Sequence, residues 1–214
     1  MHSDAAVRKE MILMNKGILI VVSAPSGCGK GTILAEVMKD EKFYYSVSAT
    51  TRSPRPGETD GVNYHFLGRE QFEELIKTGG MLEYAEYCGN YYGTPRDKVL
   101  EKINEGKNVI LEIEVQGAMQ IREKCPEAVF VFIAPPSVAE LRNRLEKRGT
   151  ETPEVINQRV SEAAQEISFA YRYDYVVVNN ILEDAVNDFI SVIRAEELKA
   201  ENQKNIIDEV LKNA

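Results

Sequence analysis

The chain has no tryptophan, two histidines and three cysteines, and each scarcity removes a class of chemistry. Cys28, Cys88 and Cys125 are odd in number and widely spaced, which argues against a disulfide framework or a CxxC metal clip. A reducing interior suits them, so a cytoplasmic location is expected. His2 and His65 cannot form a zinc cluster with thiols so scattered. The longest apolar run, Ile18 to Val22, is far too short to span a bilayer, and Asp4, Arg8, Lys9 and Glu10 precede any signal-like core. Positive charge is also scarce: 26 Lys+Arg against 34 Asp+Glu leave a net charge of −8. Neither nucleic acid nor a membrane is therefore an expected partner, and any anionic ligand must be met by a local basic cluster.

What is present suffices for one domain: 214 residues, 43% of them hydrophobic. Ile18 to Val22 is a β-branched run that breaks into Ser23-Ala24-Pro25-Ser26-Gly27, the pattern of a strand buried on both faces. Val129 to Ile133 and Tyr175 to Val178 read the same way. Helical stretches lie between them at Pro95 to Glu105, Gln116 to Lys124, Val138 to Arg148 and about Pro153 to Tyr171. This alternation predicts an α/β fold with a mostly parallel sheet flanked by helices. Residues 45–94, rich in Thr, Ser, Gly and Tyr, break the rhythm and predict a mixed β insert within the same domain. Gly149 suits a helix end and Thr152-Pro153 a helix start, so 137–172 reads as a helical hairpin able to act as a lid. The expected organisation is an extension over 1–15, either disordered or foreign to the natural chain and without assigned function, a domain over 16–200, and a helical tail over 201–214.

Directly after the first strand, Ala24, Pro25, Ser26, Gly27, Cys28, Gly29, Lys30, Gly31 and Thr32 lead into the helical pattern Ile33 to Met38. Strand, glycine-rich loop, lysine and helix start stand in the order of a P-loop. Gly27 and Gly29 allow backbone angles that turn N–H groups inward around an anion, and the helix start adds partial positive charge. Lys30 places a full charge on β- and γ-phosphates. Ala24 replaces the first glycine of the general pattern, and Gly31 displaces its hydroxyl to Thr32, which can reach phosphate or magnesium. Cys28 reads as a small loop residue rather than a nucleophile.

Further along, Arg52 and Arg55 lie in the Pro/Gly-constrained stretch SVSATTRSPRPGE, followed by DGVNYHF. Two arginines three apart can converge on one phosphate, and Tyr64 can add a hydroxyl. These stretches, with SAPSGCGKGT, EYAEYCGNYYGTP, ILEIEVQGA, FIAPPS and RNRLEKRGTE, run in order over about residues 17–180 and resemble the guanylate kinase family, P-loop enzymes that transfer a phosphoryl group from ATP to GMP. The resemblance implies a P-loop NTPase-type core with a GMP-binding insert and a helical lid. It puts ATP on Ala24 to Thr32, with Asn179 or Asn180 near adenine. It puts the GMP phosphate on Arg52, Arg55, Tyr64 and Tyr92, and guanine on Ser48, Glu83 and Thr94, with Glu114 nearby. The chemistry of Glu83 supports this independently: one carboxylate can accept the adjacent N1–H and N2–H of guanine, a donor pair that adenine lacks.

In Val109 to Val115 the two glutamates are two apart, so a continuing strand projects Glu112 and Glu114 to one side and Leu111, Ile113 and Val115 to the other. Glu112 is expected to hold Mg2+ through water, with Thr32 as the second metal candidate. Arg144 and Arg148 share a helix face and Arg159 follows on the next helix. The resemblance implies that these three close over the phosphates and, with Lys30 and Arg52, neutralise the transferring group and exclude water. No general-base histidine is needed, because the acceptor is already a phosphate oxygen anion. A scaffold domain that has lost catalysis would lack Gly27, Gly29 and Lys30, and a nucleotide switch has no use for the two-substrate arginine pattern. No feature of the sequence sets an oligomeric state.

Overall fold

A computed structural model describes residues 16–149 and 151–212; the extension expected over 1–15 lies outside them. The core is a five-stranded sheet of β1 (Leu19–Ser23), β2 (Phe43–Tyr45), β7 (Asn108–Glu112), β8 (Val129–Ala134) and β9 (Tyr175–Val178). Its order is β2-β7-β1-β8-β9, and every pairing in it is parallel. Between β2 and β7 the chain builds a second sheet of order β4-β3-β6-β5, comprising β3 (Ala49–Thr50), β4 (His65–Phe66), β5 (Met81–Tyr87) and β6 (Asn90–Pro95). This sheet mixes parallel and antiparallel pairs and packs around Ala49, Phe72 and Met81. Helix α2 (Arg69–Lys77) belongs to it through the fully buried Phe72.

Helices α1 (Lys30–Val37), α3 (Arg96–Asn104), α4 (Val115–Lys124), α5 (Val138–Arg148), α6 (Pro153–Ser168), α7 (Leu182–Glu197) and α8 (Lys204–Lys212) complete the described chain. Alternate residues of β1 serve opposite layers. Ile20 and Val22, with Ile18 just before the strand, pack with α1 and with Phe189 and Ile193 of α7, while Leu19 and Val21 pack with Ala118 and Ile121 of α4 and with Phe130 and Phe132. A strand sandwiched this way needs apolar side chains on both faces, which is why its sequence is an unbroken β-branched run. The hairpin of α5 and α6 has a small core of its own, Leu141, Leu145, Ile156 and Ala163. Gly149 ends α5 at a φ of 65°, and the Thr152 hydroxyl accepts the Val155 N–H at the start of α6.

Two expectations are corrected. β9 is not buried on both faces: it is the edge strand, with Val177 buried but Val176 51% and Val178 45% exposed, because α7 covers one face and nothing comparable covers the other. A β-branched run reports strand propensity, not the number of covered faces. Nor does β7 continue to Val115. It stops at Glu112, and Glu114 becomes the residue that starts α4, so the two glutamates do not share a strand face.

These placements give opposite expectations for two apolar deletions. Phe189→Ala should lower the unfolding free energy in urea by about 3–5 kcal/mol, whereas Val176→Ala should change it by less than about 0.5 kcal/mol.

Candidate active site

The loop between β1 and α1 has the conformation its glycines permit. Gly27 and Gly29 have φ of 88° and 87°, a region that side-chain-bearing residues rarely adopt. Space is tight as well: a Cβ on Gly27 would lie 2.7 Å from Leu145 Cδ2, and one on Gly29 2.5 Å from Asn179 Nδ2, so either side chain would have to shift. All nine residues from Ala24 to Thr32 line one cavity of about 440 Å3, together with Glu112 and Arg148. Lys30 opens α1, and its Nζ lies 3.3 Å from Glu112 Oε1. That pair follows from register, since β1 and β7 run parallel with Val22 opposite Glu112. Cys28 is fully buried, its Sγ 3.4 Å from the Ile133 carbonyl oxygen, and burial pushes its thiol up to about 11, so it is no nucleophile.

The hairpin meets this loop through two of its three predicted arginines. Arg144 donates to the Asn179 carbonyl at 2.9 Å and to the Cys28 carbonyl at 3.4 Å, with Glu140 holding its Nε at 3.0 Å. Arg159 donates to Ser26 Oγ at 2.7 Å and pairs with Glu151 at 2.8 Å. Arg148 is exposed at the cavity wall. Asn179 is buried, and its amide donates 2.7 Å to the Cys28 carbonyl, so this nitrogen braces the loop from beneath.

A second cavity, of about 310 Å3, lies between the insert and the core. Ser48, Tyr64, Glu83, Tyr92, Glu112 and Glu114 are among its walls, which brings together most of the predicted acceptor residues. Glu83 is 6% exposed, and Thr94 donates 2.7 Å to its Oε1. Thr94 thus acts on the carboxylate rather than on the cavity wall. Gly117 makes room for that carboxylate, because a Cβ there would lie 2.8 Å from Glu83 Oε2. Burial pushes the Glu83 pKa up, against the pull of the Thr94 hydrogen bond and of Lys124. Tyr64 and Tyr92 meet edge-on with centroids 6.0 Å apart.

Arg52 is held on the insert by a bidentate pair with Glu58, both bonds 2.9 Å, and its guanidinium lies over the Tyr64 ring at 5.5 Å. Glu58 also accepts the Arg55 backbone N–H at 2.7 Å, and the Arg52 bonds chiefly hold its carboxyl below the ordinary value. The Arg55 side chain is exposed and is not a cavity wall. Two residues with no role in the sequence reading enter here. Glu58 lay within the arginine stretch, six residues after Arg52, and its signal was its proximity. Tyr45 donates 3.0 Å to Glu112 Oε2 from the end of β2 and carried no signal, since the pairing spans 67 residues.

Glu112 lines both cavities, so the phosphate loop and the second cavity share a wall. Residues 16–196 match the family model described as guanylate kinase. The chain belongs to the guanylate kinase family. It is 56% identical over 187 residues to the guanylate kinase of Halalkalibacterium halodurans, covering 87% of this chain and 92% of that one. With the guanylate kinase of Latilactobacillus sakei it shares 52% over 189 residues, covering 87% and 93%. The crystal structure of guanylate kinase from Anaplasma phagocytophilum superposes with a TM-score of 0.68 at 36% identity, over 88% of this chain and 90% of that one. Among the described residues no helix is long and apolar enough to cross a membrane.

The raised Glu83 pKa fixes the sign of a pH effect. Folding favours the protonated carboxyl, so stability is lost as pH rises from the ordinary value near 4.5 through the raised one. Glu83→Gln removes that loss. In thermal melts without nucleotide the variant should be the more stable at pH 7, and the gap should close below the ordinary carboxylate value. Asn179→Ala leaves the buried Cys28 carbonyl short of its nearest donor; calorimetry should show ATP affinity falling about tenfold.

Proposed function

We propose that this chain transfers the γ-phosphoryl group of ATP to GMP, giving ADP and GDP in purine nucleotide metabolism, and that the two cavities meeting at Glu112 hold the two nucleotides. The observation that carries this reading is the buried Glu83 carboxylate in the second cavity. A carboxylate 6% exposed on the cavity wall, with one oxygen on Thr94, has accepting capacity left for a ligand, and guanine brings two donors side by side. Adenine would turn a lone pair toward it.

The phosphate loop from Ala24 to Thr32 binds ATP with its N–H groups, and Lys30 neutralises charge between the β- and γ-phosphates. Arg52 and Arg55, with Tyr64 and Tyr92, take the GMP phosphate, while Ser48 and Glu114 border the base. Arg144, Arg148 and Arg159 come from the hairpin over the phosphates and exclude water that would otherwise hydrolyse ATP. The acceptor oxygen is already anionic, so these groups orient it in line and neutralise charge as the phosphoryl group moves.

Mg2+ accepts hard oxygen donors and keeps few protein ligands beside phosphate. The Thr32 hydroxyl and the Glu112 carboxylate, both at the phosphate-loop cavity, fit that demand. When bound, the ion adds positive charge at the phosphate oxygens. Three cysteines free of disulfides suit the reducing interior of a cytoplasmic enzyme with ATP and GMP as small-molecule substrates, and a net charge of −8 gives neither nucleic acid nor an anionic membrane a general attraction.

A coupled assay with GMP, AMP, dTMP and UMP tests the reading, and GMP should be the preferred acceptor. Glu83→Gln should cut kcat/KM for GMP by roughly 10–100-fold while calorimetric ATP affinity stays unchanged. Faster turnover of another monophosphate, or unaltered selectivity in the variant, would overturn the guanine assignment.

A further inference from the structure

Strand β5 is the outer strand of the insert sheet, so one of its edges carries backbone groups that β6 does not satisfy. Side chains of α4 satisfy those of Tyr84 and the carbonyl of Leu82. Gln120 accepts the Tyr84 N–H at 3.3 Å through Oε1 and donates 2.9 Å to the Tyr84 carbonyl through Nε2. One turn later Lys124 Nζ donates 2.7 Å to the Leu82 carbonyl. The residue between Leu82 and Tyr84 is Glu83. One turn before Gln120 lies Gly117, whose missing side chain leaves room for the Glu83 carboxylate. A single helix face therefore grips the backbone on both sides of Glu83 and clears the space in which its carboxylate sits.

We infer that Gln120, supported by Lys124, is a positioning residue for base selection: it fixes the segment carrying Glu83 against the core, so that the carboxylate meets the paired N1–H and N2–H of guanine together. The inference rests on the assignment of Glu83 as the base reader. The chemistry at position 120 is specific. A carboxamide has both the acceptor for Tyr84 N–H and the donor for its carbonyl, as a neighbouring strand would; leucine has neither and glutamate lacks the donor. Because α4 follows directly on Glu112 and Glu114, the same grip ties the base reader to the end of the strand that faces the phosphate loop. Without it the Glu83 segment keeps the burial of Leu82 beside Ala118 and Ile121 of α4 and a pairing to β6 that is irregular between Met81 and Glu83, where the register shifts. Glu83 can then retain its fold and lose its aim.

The test is a competition between GMP and inosine monophosphate, which keeps N1–H and lacks the 2-amino group, with Gln120→Leu, Gln120→Glu, Lys124→Met, Glu83→Gln and the double variant Glu83→Gln/Gln120→Leu. The ratio of kcat/KM values in one mixture does not depend on how much enzyme is folded, so partial misfolding does not obscure it. Gln120→Leu should lower the GMP preference about tenfold, Gln120→Glu and Lys124→Met should lower it less, and adding Gln120→Leu to Glu83→Gln should lower it no further. Calorimetric ATP affinity should be retained in all five. If Glu83→Gln lowers the preference and Gln120→Leu does not, or if the two effects add, the role of Gln120 is overturned and the Glu83 assignment stands. If Glu83→Gln itself leaves the preference unchanged, the assignment fails and the inference with it.

Discussion

The parallel pairing of β1 with β7 decides where the charges of this site can lie. Both strands are buried on two faces and end at the same level, so the loop after β1 and the carboxylate that ends β7 face each other across one register step. Lys30 and Glu112 meet at 3.3 Å for that reason. The crevice outside the C-terminal ends of a parallel sheet is where an open α/β fold can bind a ligand without breaking its core, and here it is shared by two cavities. The insert between β2 and β7 hangs over the same end, so its inner wall is turned to the phosphate loop.

An acidic chain that must gather phosphates has to store cations without letting them scatter. Lys30 is held by Glu112, Arg52 by Glu58, Arg144 by Glu140 and Arg159 by Glu151, at 2.8–3.3 Å. Each pair retains solvent contact at its side chains, which keeps its net stabilisation small. Such a partner orders the cation and competes weakly with a phosphate dianion, whose charge is larger and whose oxygens match the guanidinium fork. The hairpin adds neutral anchors: Arg144 and Arg159 donate to Cys28 O, Asn179 O and Ser26 Oγ, which join the hairpin to the loop.

What the sequence revealed was local. A glycine-rich loop between a β-branched run and a helix start, a Thr-Pro helix start after Gly149, and a carboxylate among tyrosines are all readable within a dozen residues. Three helices between 95 and 148 match their expected bounds to within one residue, because caps and apolar period agree there, whereas α6 stops at Ser168, three residues short of the expected Tyr171, where the chain tightens into a 3-10 turn. Contacts that close over long separations had no local signature. The Tyr45–Glu112 bond, the Asn179 brace and the Gln120 grip join residues 67, 151 and 36 positions apart. The uncovered face of β9 has no local signature for a related reason, since Val176 and Val178 would look the same in the middle of the sheet. The shared face of Glu112 and Glu114 failed because alternation continues in the letters after the strand has ended.

The burial of Glu83 shows why discrimination need not come from a large number of contacts. Burial disfavours its ionised form, and Thr94 satisfies only part of its accepting capacity. Any ligand that enters must either supply donors or leave a desolvated charge facing acceptors, and the second outcome costs more than losing one hydrogen bond in water. Guanine supplies two donors at the spacing of one carboxylate. A base with a lone pair at the same position meets repulsion in addition to the missing bonds, so selectivity arises as much from what the carboxylate rejects as from what it binds. That logic holds only while the carboxylate cannot turn away toward solvent, which gives the closeness of Gly117 and the backbone grip on either side of Glu83 their importance.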